Sequence, residues 1–259
     1  MTAPSSRPVF TGVAVALVTF FDEHGHVDLA ATANLACHLA DRGARAIVVG
    51  GTTGEASHLS TKERLQLLDA VRKALADEVP VVLGTGNLSA GVSVPDLTRR
   101  AAEHGAAAAL TLSPRHGDVR EFYGEVVAAA GTMPVIAYHY PQWCPPGIAV
   151  EDLKVLKVAG VKDSTGDCER LLETLAAYHK PVYTGSSAMV AYAGMLGATG
   201  AILAAANLEP ELCSDAFAGS VEAQKDLLHA HKIFTCYGVK GLKEELARRY
   251  GTSTVCREC

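Results

Sequence analysis

The chain has 259 residues, of which 49% are hydrophobic and 20% are charged. This composition is typical of a globular protein with a core large enough to need no metal ion or disulfide. The formal net charge of -5, without any lysine- or arginine-rich run, disfavours nucleic acid as a partner.

The first ten residues, MTAPSSRPVF, have neither the charged start nor the long apolar stretch of a secretory signal. The most apolar run, at 12–21, is far shorter than the roughly 20 residues that a helix needs to cross a bilayer. We therefore expect no signal peptide, no transmembrane span, no membrane partner and a cytoplasmic location.

Short apolar or β-branched segments alternate with longer amphipathic segments, which predicts eight strand–helix units. The predicted strands cover residues 13–19, 46–50, 81–84, 107–112, 134–138, 158–162, 182–184 and 201–204. The intervening helices include those predicted at 28–41, 61–76 and 119–130. Ser60 and Glu63 have the spacing of a capping box at the start of the helix at 61–76.

Strands that alternate with helices across short connections indicate parallel pairing, in an open doubly wound sheet or in a closed eightfold barrel. The open dinucleotide-binding sheet has GxGxxG after its first strand, whereas the first predicted strand here continues into FFDE at 20–23. The pattern therefore favours the α/β fold of a (β/α)8 TIM barrel. We expect residues 1–207 to form its core, and residues 208–259 to form a helical extension packed on it within a single domain. The helices of that extension are predicted at 210–218, 221–234 and 238–250.

The chemistry of such a barrel takes place at the carboxyl ends of its strands, and Lys162 closes the sixth predicted strand. If Val158 and Gly160 face the barrel interior, the lysine faces it too. Apolar surroundings lower the pKa of a lysine and make it nucleophilic toward a carbonyl group. The alternative is a lysine that reaches solvent at the mouth or pairs with Asp163.

Tyr138 ends the fifth predicted strand, where its phenol could transfer protons or simply belong to an aromatic rim. Thr52 and Thr53 follow the second strand in a glycine-bounded run, which permits a turn whose N–H groups and hydroxyls converge on a carboxylate. A plain glycine turn is the alternative. The run lacks the lysine and hydroxyl residue of a phosphate loop, which disfavours nucleotide binding.

The seven cysteines are scattered along the sequence, as expected of reduced thiols in a cytosol. Cys256 and Cys259 form a CxxC pair with no second pair nearby. We interpret this pair as incidental rather than as a metal or redox site.

Four motifs follow one another along the chain: GTTGE at 51–55, GTG at 84–86, YHYP at 138–141 and GVKDSTG at 160–166. Their order resembles the pyruvate-dependent class I aldolases, the superfamily of dihydrodipicolinate synthase and N-acetylneuraminate lyase. Three further segments also occur in the order found in this superfamily: VALVTFFDEHGHVDL at 15–29, TGSS at 184–187 and GATGAI at 197–202. The resemblance therefore covers nearly the whole chain. It implies an enzyme that joins pyruvate, or another 2-keto acid, to an aldehyde or cleaves the product. It also implies a homo-oligomer, dimer or tetramer, without metal or organic cofactor.

Carried to this sequence, the resemblance implies that Lys162 forms a Schiff base with the keto group of pyruvate. Tyr138 then acts as the general acid and base, and the hydroxyl of Thr52 relays protons. The substrate-binding positions that the resemblance implies are Thr53 at the pyruvate carboxylate, the Ile202 carbonyl, Gly51 and Gly185.

Two stretches depart from the dihydrodipicolinate synthase pattern. SPRHG at 113–117 stands where these synthases usually have a relay tyrosine, so that His116 could replace the phenol and Arg115 could hold a carboxylate. Both residues could equally face solvent. QWCPP at 142–146 stands where the synthases have a carboxylate-binding arginine, and Trp143 there offers an apolar or sugar-stacking wall.

The sequence thus favours a Schiff-base aldolase whose preferred aldehyde differs from that of the synthases. One alternative is dihydrodipicolinate synthase itself, which condenses pyruvate with aspartate semialdehyde. Another is a non-catalytic barrel that binds a keto acid, although such a module needs no Schiff-base lysine.

Overall fold

The computed structural model describes residues 7–76, 78–86 and 92–257. Eight parallel strands close into a barrel in which each strand pairs with its neighbours in sequence and the eighth pairs with the first. The strands are β1 Gly12–Ala16, β2 Ala46–Val49, β3 Val81–Gly84, β4 Ala108–Leu112, β5 Val135–His139, β6 Gly160–Asp163, β7 Val182–Thr184 and β8 Gly200–Leu203. The predicted TIM barrel is confirmed.

The helices of the described ranges are α1 Leu29–Asp41, α2 Thr61–Ala74, α3 Val94–Glu103, α4 Val119–Ala130, α5 Val150–Val155, α6 Cys168–Ala177, α7 Val190–Met195, α8 Pro210–Phe217, α9 Val221–Asp226 and α10 Leu228–Tyr250. The predicted capping box is confirmed, because Ser60 Oγ accepts from the Glu63 N–H (3.2 Å) and Glu63 Oε2 accepts from the Ser60 N–H (2.8 Å). Within these ranges, no helix is both long and apolar enough to span a membrane.

In two places the predicted bounds differ from the observed ones by more than two residues. The first strand ends at Ala16 instead of residue 19, because the Val18 N–H donates to the Asn207 side chain (3.1 Å) and leaves the strand ladder. The helix predicted at 221–234 ends as α9 at Asp226, and α10 then continues through a kink at Gly238, where φ is 62°.

Strand side chains alternate between the barrel interior and the layer beneath the helices. The interior cluster includes Ala14, Ala16, Ala46, Val48, Val82, Ala108, Leu110, Ile136, Tyr138, Tyr183 and Ile202. Val161 packs in the outer layer, so Gly160 and Lys162, its neighbours on β6, face inward. Val158 lies before β6 and belongs to the outer layer, so the inward alternation begins at Gly160.

Candidate active site

A cavity of about 230 Å³ opens at the carboxyl end of the barrel. Six of the residues singled out from the sequence line it: Thr52, Thr53, Tyr138, Lys162, Gly185 and Ile202. They come from the ends of β2, β5, β6, β7 and β8, so barrel closure brings together residues that lie up to 150 positions apart in the sequence. Gly51 lines a smaller adjoining cleft with Thr52 and Tyr138.

Lys162 is almost completely buried, with 6% of its surface exposed. Its Nζ lies 4.3 Å from the centroid of the Tyr138 ring. Burial lowers the pKa of Lys162 to about 7, so a large fraction of the side chain is a free amine at neutral pH. A Cβ atom at Gly185 would lie 2.8 Å from Lys162 Cε and would overlap Ser164, so the lysine depends on glycine at that position.

Asp163 does not pair with Lys162, although the two are adjacent in sequence. Its Oδ2 accepts from Arg170 Nε (2.7 Å), and its Oδ1 accepts from the Thr165 N–H (2.8 Å). Adjacent residues of a strand point to opposite faces, so this carboxylate is directed away from the cavity while the amine points into it.

Tyr138 is buried beside the lysine, and its phenol is hydrogen-bonded to the hydroxyls of Ser164 and Thr52. Burial raises the pKa of Tyr138 to about 12, and these two hydrogen bonds oppose the rise. The phenol is therefore protonated at neutral pH. Its hydrogen bonds connect the ends of β2, β5 and β6 through hydroxyl groups that can donate and accept protons.

The chain leaves β2 through a 3-10 turn at Thr52–Gly54, in which Thr53 is buried. The Gly54 and Ala56 N–H groups donate to the Gly51 carbonyl (3.0 and 3.1 Å). The first N–H groups of a helical turn have no acceptor within the turn itself. Thr52 and Thr53 both line the cavity, and a turn of this kind suits a carboxylate because its first N–H groups remain available.

Glu55 ends this turn in a left-handed conformation, with φ of 57° and a fully buried side chain. Its Oε1 accepts from Lys243 Nζ of α10 (2.5 Å), and its Oε2 accepts from the Arg257 N–H (2.7 Å). The Arg257 guanidinium pairs in turn with Glu63 of α2 (2.7 Å). We call Glu55, Lys243 and Arg257 the Glu55 clasp. It anchors the C-terminal extension to the turn that carries Thr52 and Thr53.

The half-buried Cys256 adjoins this clasp, whereas Cys259 lies outside the described residues. Across the described ranges, no group of three or more histidine, cysteine, aspartate or glutamate side chains is arranged to hold a metal ion.

Arg115, His116 and Trp143 are not among the residues that line the cavity. Arg115 Nη2 donates to the Trp143 carbonyl (2.8 Å), which attaches the loop after β4 to the loop after β5. His116 is exposed, and Trp143 is 37% exposed. The two loops thus pack against each other beside the cavity, and the contact of these three side chains with substrate stays a prediction.

Several lining residues have no predicted site role: Tyr140, Gln142, Ser164, Thr165, Ser186, Ser187, His231, Phe234 and Thr235. Ser164 and Thr165 lie in the motif that contains Lys162, so that motif could have indicated them. His231, Phe234 and Thr235 have the spacing of one helix face, but this spacing does not reveal what the face contacts.

The sequence profile of the Dihydrodipicolinate synthetase family matches residues 9–245. A 4-hydroxy-tetrahydrodipicolinate synthase of Ectopseudomonas mendocina is 32% identical over 232 residues, which are 86% of this chain and 79% of that protein. The protein of the same name from Salinibacter ruber is 34% identical over 215 residues, 78% and 70% of the two chains. The chloride-inhibited dihydrodipicolinate synthase of Acinetobacter baumannii, complexed with pyruvate, superposes with a TM-score of 0.87 at 26% identity, over 97% of this chain and 93% of that one.

Proposed function

Since this chain belongs to the dihydrodipicolinate synthetase family and is a Schiff-base-forming, pyruvate-dependent aldolase, we propose that Lys162 is its reactive amine. The observation that carries this proposal is a buried lysine, with a pKa of about 7, that points into the cavity. A nucleophilic lysine needs a free amine near neutral pH, and desolvation supplies it here.

The proposed reaction begins when the Lys162 amine attacks C2 of pyruvate. Loss of water gives a protonated Schiff base, and loss of a proton from C3 then gives an enamine. C3 of the enamine forms a bond to the aldehyde carbon, while the aldehyde oxygen takes up a proton. Hydrolysis releases the product and restores the amine. The reverse sequence cleaves the same bond. The iminium is the electron sink, so we propose that the enzyme needs neither a metal ion nor an organic cofactor.

Tyr138 is the proposed general acid and base, with its proton passed through Thr52. The hydrogen bonds of its phenol to Thr52 and Ser164 support this role. The turn that contains Thr53 is the proposed site of the pyruvate carboxylate, while the Ile202 carbonyl and Gly185 border the ketone end. The positions of these residues around one cavity support the proposed roles.

Dihydrodipicolinate synthase itself is the second candidate, and the name of the curated relatives favours it. The cavity offers little support for a second carboxylate, because Lys162 is the one lysine or arginine among its described lining residues. We further propose a single-domain, cytoplasmic protein that forms a homo-oligomer, dimer or tetramer, on the basis of family membership.

Trapping with borohydride tests the proposed nucleophile. Incubation with pyruvate and borohydride is expected to attach a reduced pyruvyl group to Lys162 alone, as peptide mass spectrometry would show. Lys162→Arg should abolish the adduct, and Lys154→Arg, which changes an exposed lysine of α5, should leave it intact. An adduct on another lysine would refute the assignment of Lys162. No adduct at all would refute Schiff-base chemistry by this chain.

A further inference from the structure

One wall of the cavity comes from α10 rather than from the barrel. His231, Phe234 and Thr235 line it, three and four positions apart, and thus share one face of the helix. They lie apart from the strand ends that carry Lys162, Tyr138 and Thr52. The cavity therefore has a reacting side, supplied by the strands, and a second side, supplied by the C-terminal extension.

His231 is held in place through one ring nitrogen. Its Nδ1 lies 2.9 Å from Ser187 Oγ, and the Ser187 carbonyl accepts from Gln224 Nε2 of α9 (3.0 Å). Nε2 of the ring has no hydrogen-bond partner within the described part of the chain. Burial lowers the pKa of His231 below its usual 6.5, so the ring is neutral at pH 7 and Nε2 can bond to a neutral group.

The remaining polar groups of the cavity are neutral as well. Apart from Lys162, its described lining has no lysine, arginine, aspartate or glutamate. Thr235 Oγ1 donates to the His231 carbonyl (3.0 Å), so its oxygen remains an acceptor. A carboxylate that entered here would lose its hydration without meeting a second cation, whereas a hydroxyl group would exchange water for these neutral partners.

We propose that His231, Phe234 and Thr235 form the specificity-determining wall for the second substrate, a neutral aldehyde with hydroxyl groups beyond its carbonyl carbon. His231 Nε2 bonds to such a hydroxyl, and the Phe234 ring packs against the C–H bonds beside it. This inference rests on the proposed function, because it takes the enamine on Lys162 as the group that attacks the aldehyde.

Glyceraldehyde and propionaldehyde both have three carbon atoms, but only glyceraldehyde has hydroxyl groups. Comparing the two isolates the contribution of His231. The wild-type enzyme is expected to use glyceraldehyde with a higher kcat/KM than propionaldehyde or aspartate semialdehyde. His231→Ala should lower kcat/KM for glyceraldehyde about 3- to 10-fold, as expected for one neutral hydrogen bond. It should change kcat/KM for propionaldehyde less than about 2-fold, because that aldehyde has no hydroxyl to lose.

The matched control is His229→Ala, which removes an exposed histidine from the same helix. It should leave kcat/KM unchanged for glyceraldehyde, propionaldehyde and aspartate semialdehyde. His231→Gln keeps a hydrogen-bonding group and should restore part of the preference for glyceraldehyde. The KM for pyruvate and the borohydride adduct on Lys162 should stay the same in every variant.

Equal losses with glyceraldehyde and propionaldehyde in His231→Ala would overturn this inference. A wild-type preference for aspartate semialdehyde would overturn it as well. In both cases an adduct on Lys162 would show that the proposed function still holds. The absence of that adduct from the wild-type enzyme would overturn the proposed function and this inference together.

Discussion

Lys162 is a basic residue in a position that disfavours its charged form. The nearest carboxylate in sequence, Asp163, is bonded to Arg170 and Thr165 on the other face of β6. Gly185 leaves the space that the lysine side chain occupies. Because desolvation of the amine is not offset by a carboxylate partner among the described residues, its pKa falls from 10.5 to about 7.

This pKa predicts the pH dependence of Schiff-base formation. The attacking species is the free amine, so the rate of borohydride trapping by pyruvate should rise with pH to a half-maximum near 7, the pKa of Lys162. The Tyr138 phenol, with a pKa of about 12, and His139, whose pKa burial lowers to about 4, titrate outside this window. A half-maximum near 10.5, the ordinary lysine pKa, would contradict the prediction.

Substitution of Tyr138 tests the proposed proton relay separately from the proposed nucleophile, Lys162. Tyr138→Phe removes the phenol between Thr52 and Ser164 and is expected to lower kcat by about 10²- to 10⁴-fold. Pyruvate should still form the borohydride adduct, because Lys162 is retained. Tyr237→Phe changes a tyrosine of α10 that is 71% exposed, and it should have no effect. A Tyr138→Phe enzyme with near wild-type kcat would mean that another group moves the proton.

At the level of elements, residues of the C-terminal extension, outside the barrel, hold the connection from β2 to α2 in place. The Glu55 clasp places a carboxylate of this connection between α10 and the segment that follows it. The Lys243 ammonium and the Arg257 guanidinium also lie over the Phe21 ring, 4.4 and 4.5 Å from its centroid. The turn at Thr52–Gly54 therefore has its position fixed by the C-terminal extension as well as by β2.

Loss of one partner of the buried ion pair between Glu55 and Lys243 should destabilise the protein more than loss of both partners. Lys243→Met removes one partner of the buried Glu55–Lys243 ion pair, and such a one-sided loss typically costs about 3 to 5 kcal/mol in the free energy of unfolding. Glu55→Gln combined with Lys243→Met should cost less, because both charges of the buried pair are removed together. Urea unfolding measures both, with Lys240→Met at an exposed position of α10 as the control. A double variant less stable than Lys243→Met would contradict this account.

Over the whole molecule, the sequence predicts the barrel and its strand-end residues better than it predicts the outer wall of the site. Lys162, Tyr138 and Thr52 are found because strand periodicity and local motifs fix both position and direction. The direction of Arg115 depends instead on a carbonyl 28 positions away, at Trp143. His231 belongs to a helix in which the three- and four-residue spacing groups it with Phe234 and Thr235, but this spacing does not identify the surface that the face covers.

The Glu55 clasp also has a consequence for the time at which the enzyme becomes competent during synthesis. Its two hydrogen bonds join Glu55 to residues 188 and 202 positions later in the chain. Contacts of such high sequence separation form late, since the intervening chain must first be ordered. All eight strands leave the ribosome before Lys243 and Arg257 do. The barrel can thus begin to assemble on the ribosome, but the turn at Thr52–Gly54 acquires its final anchorage after translation has passed residue 257.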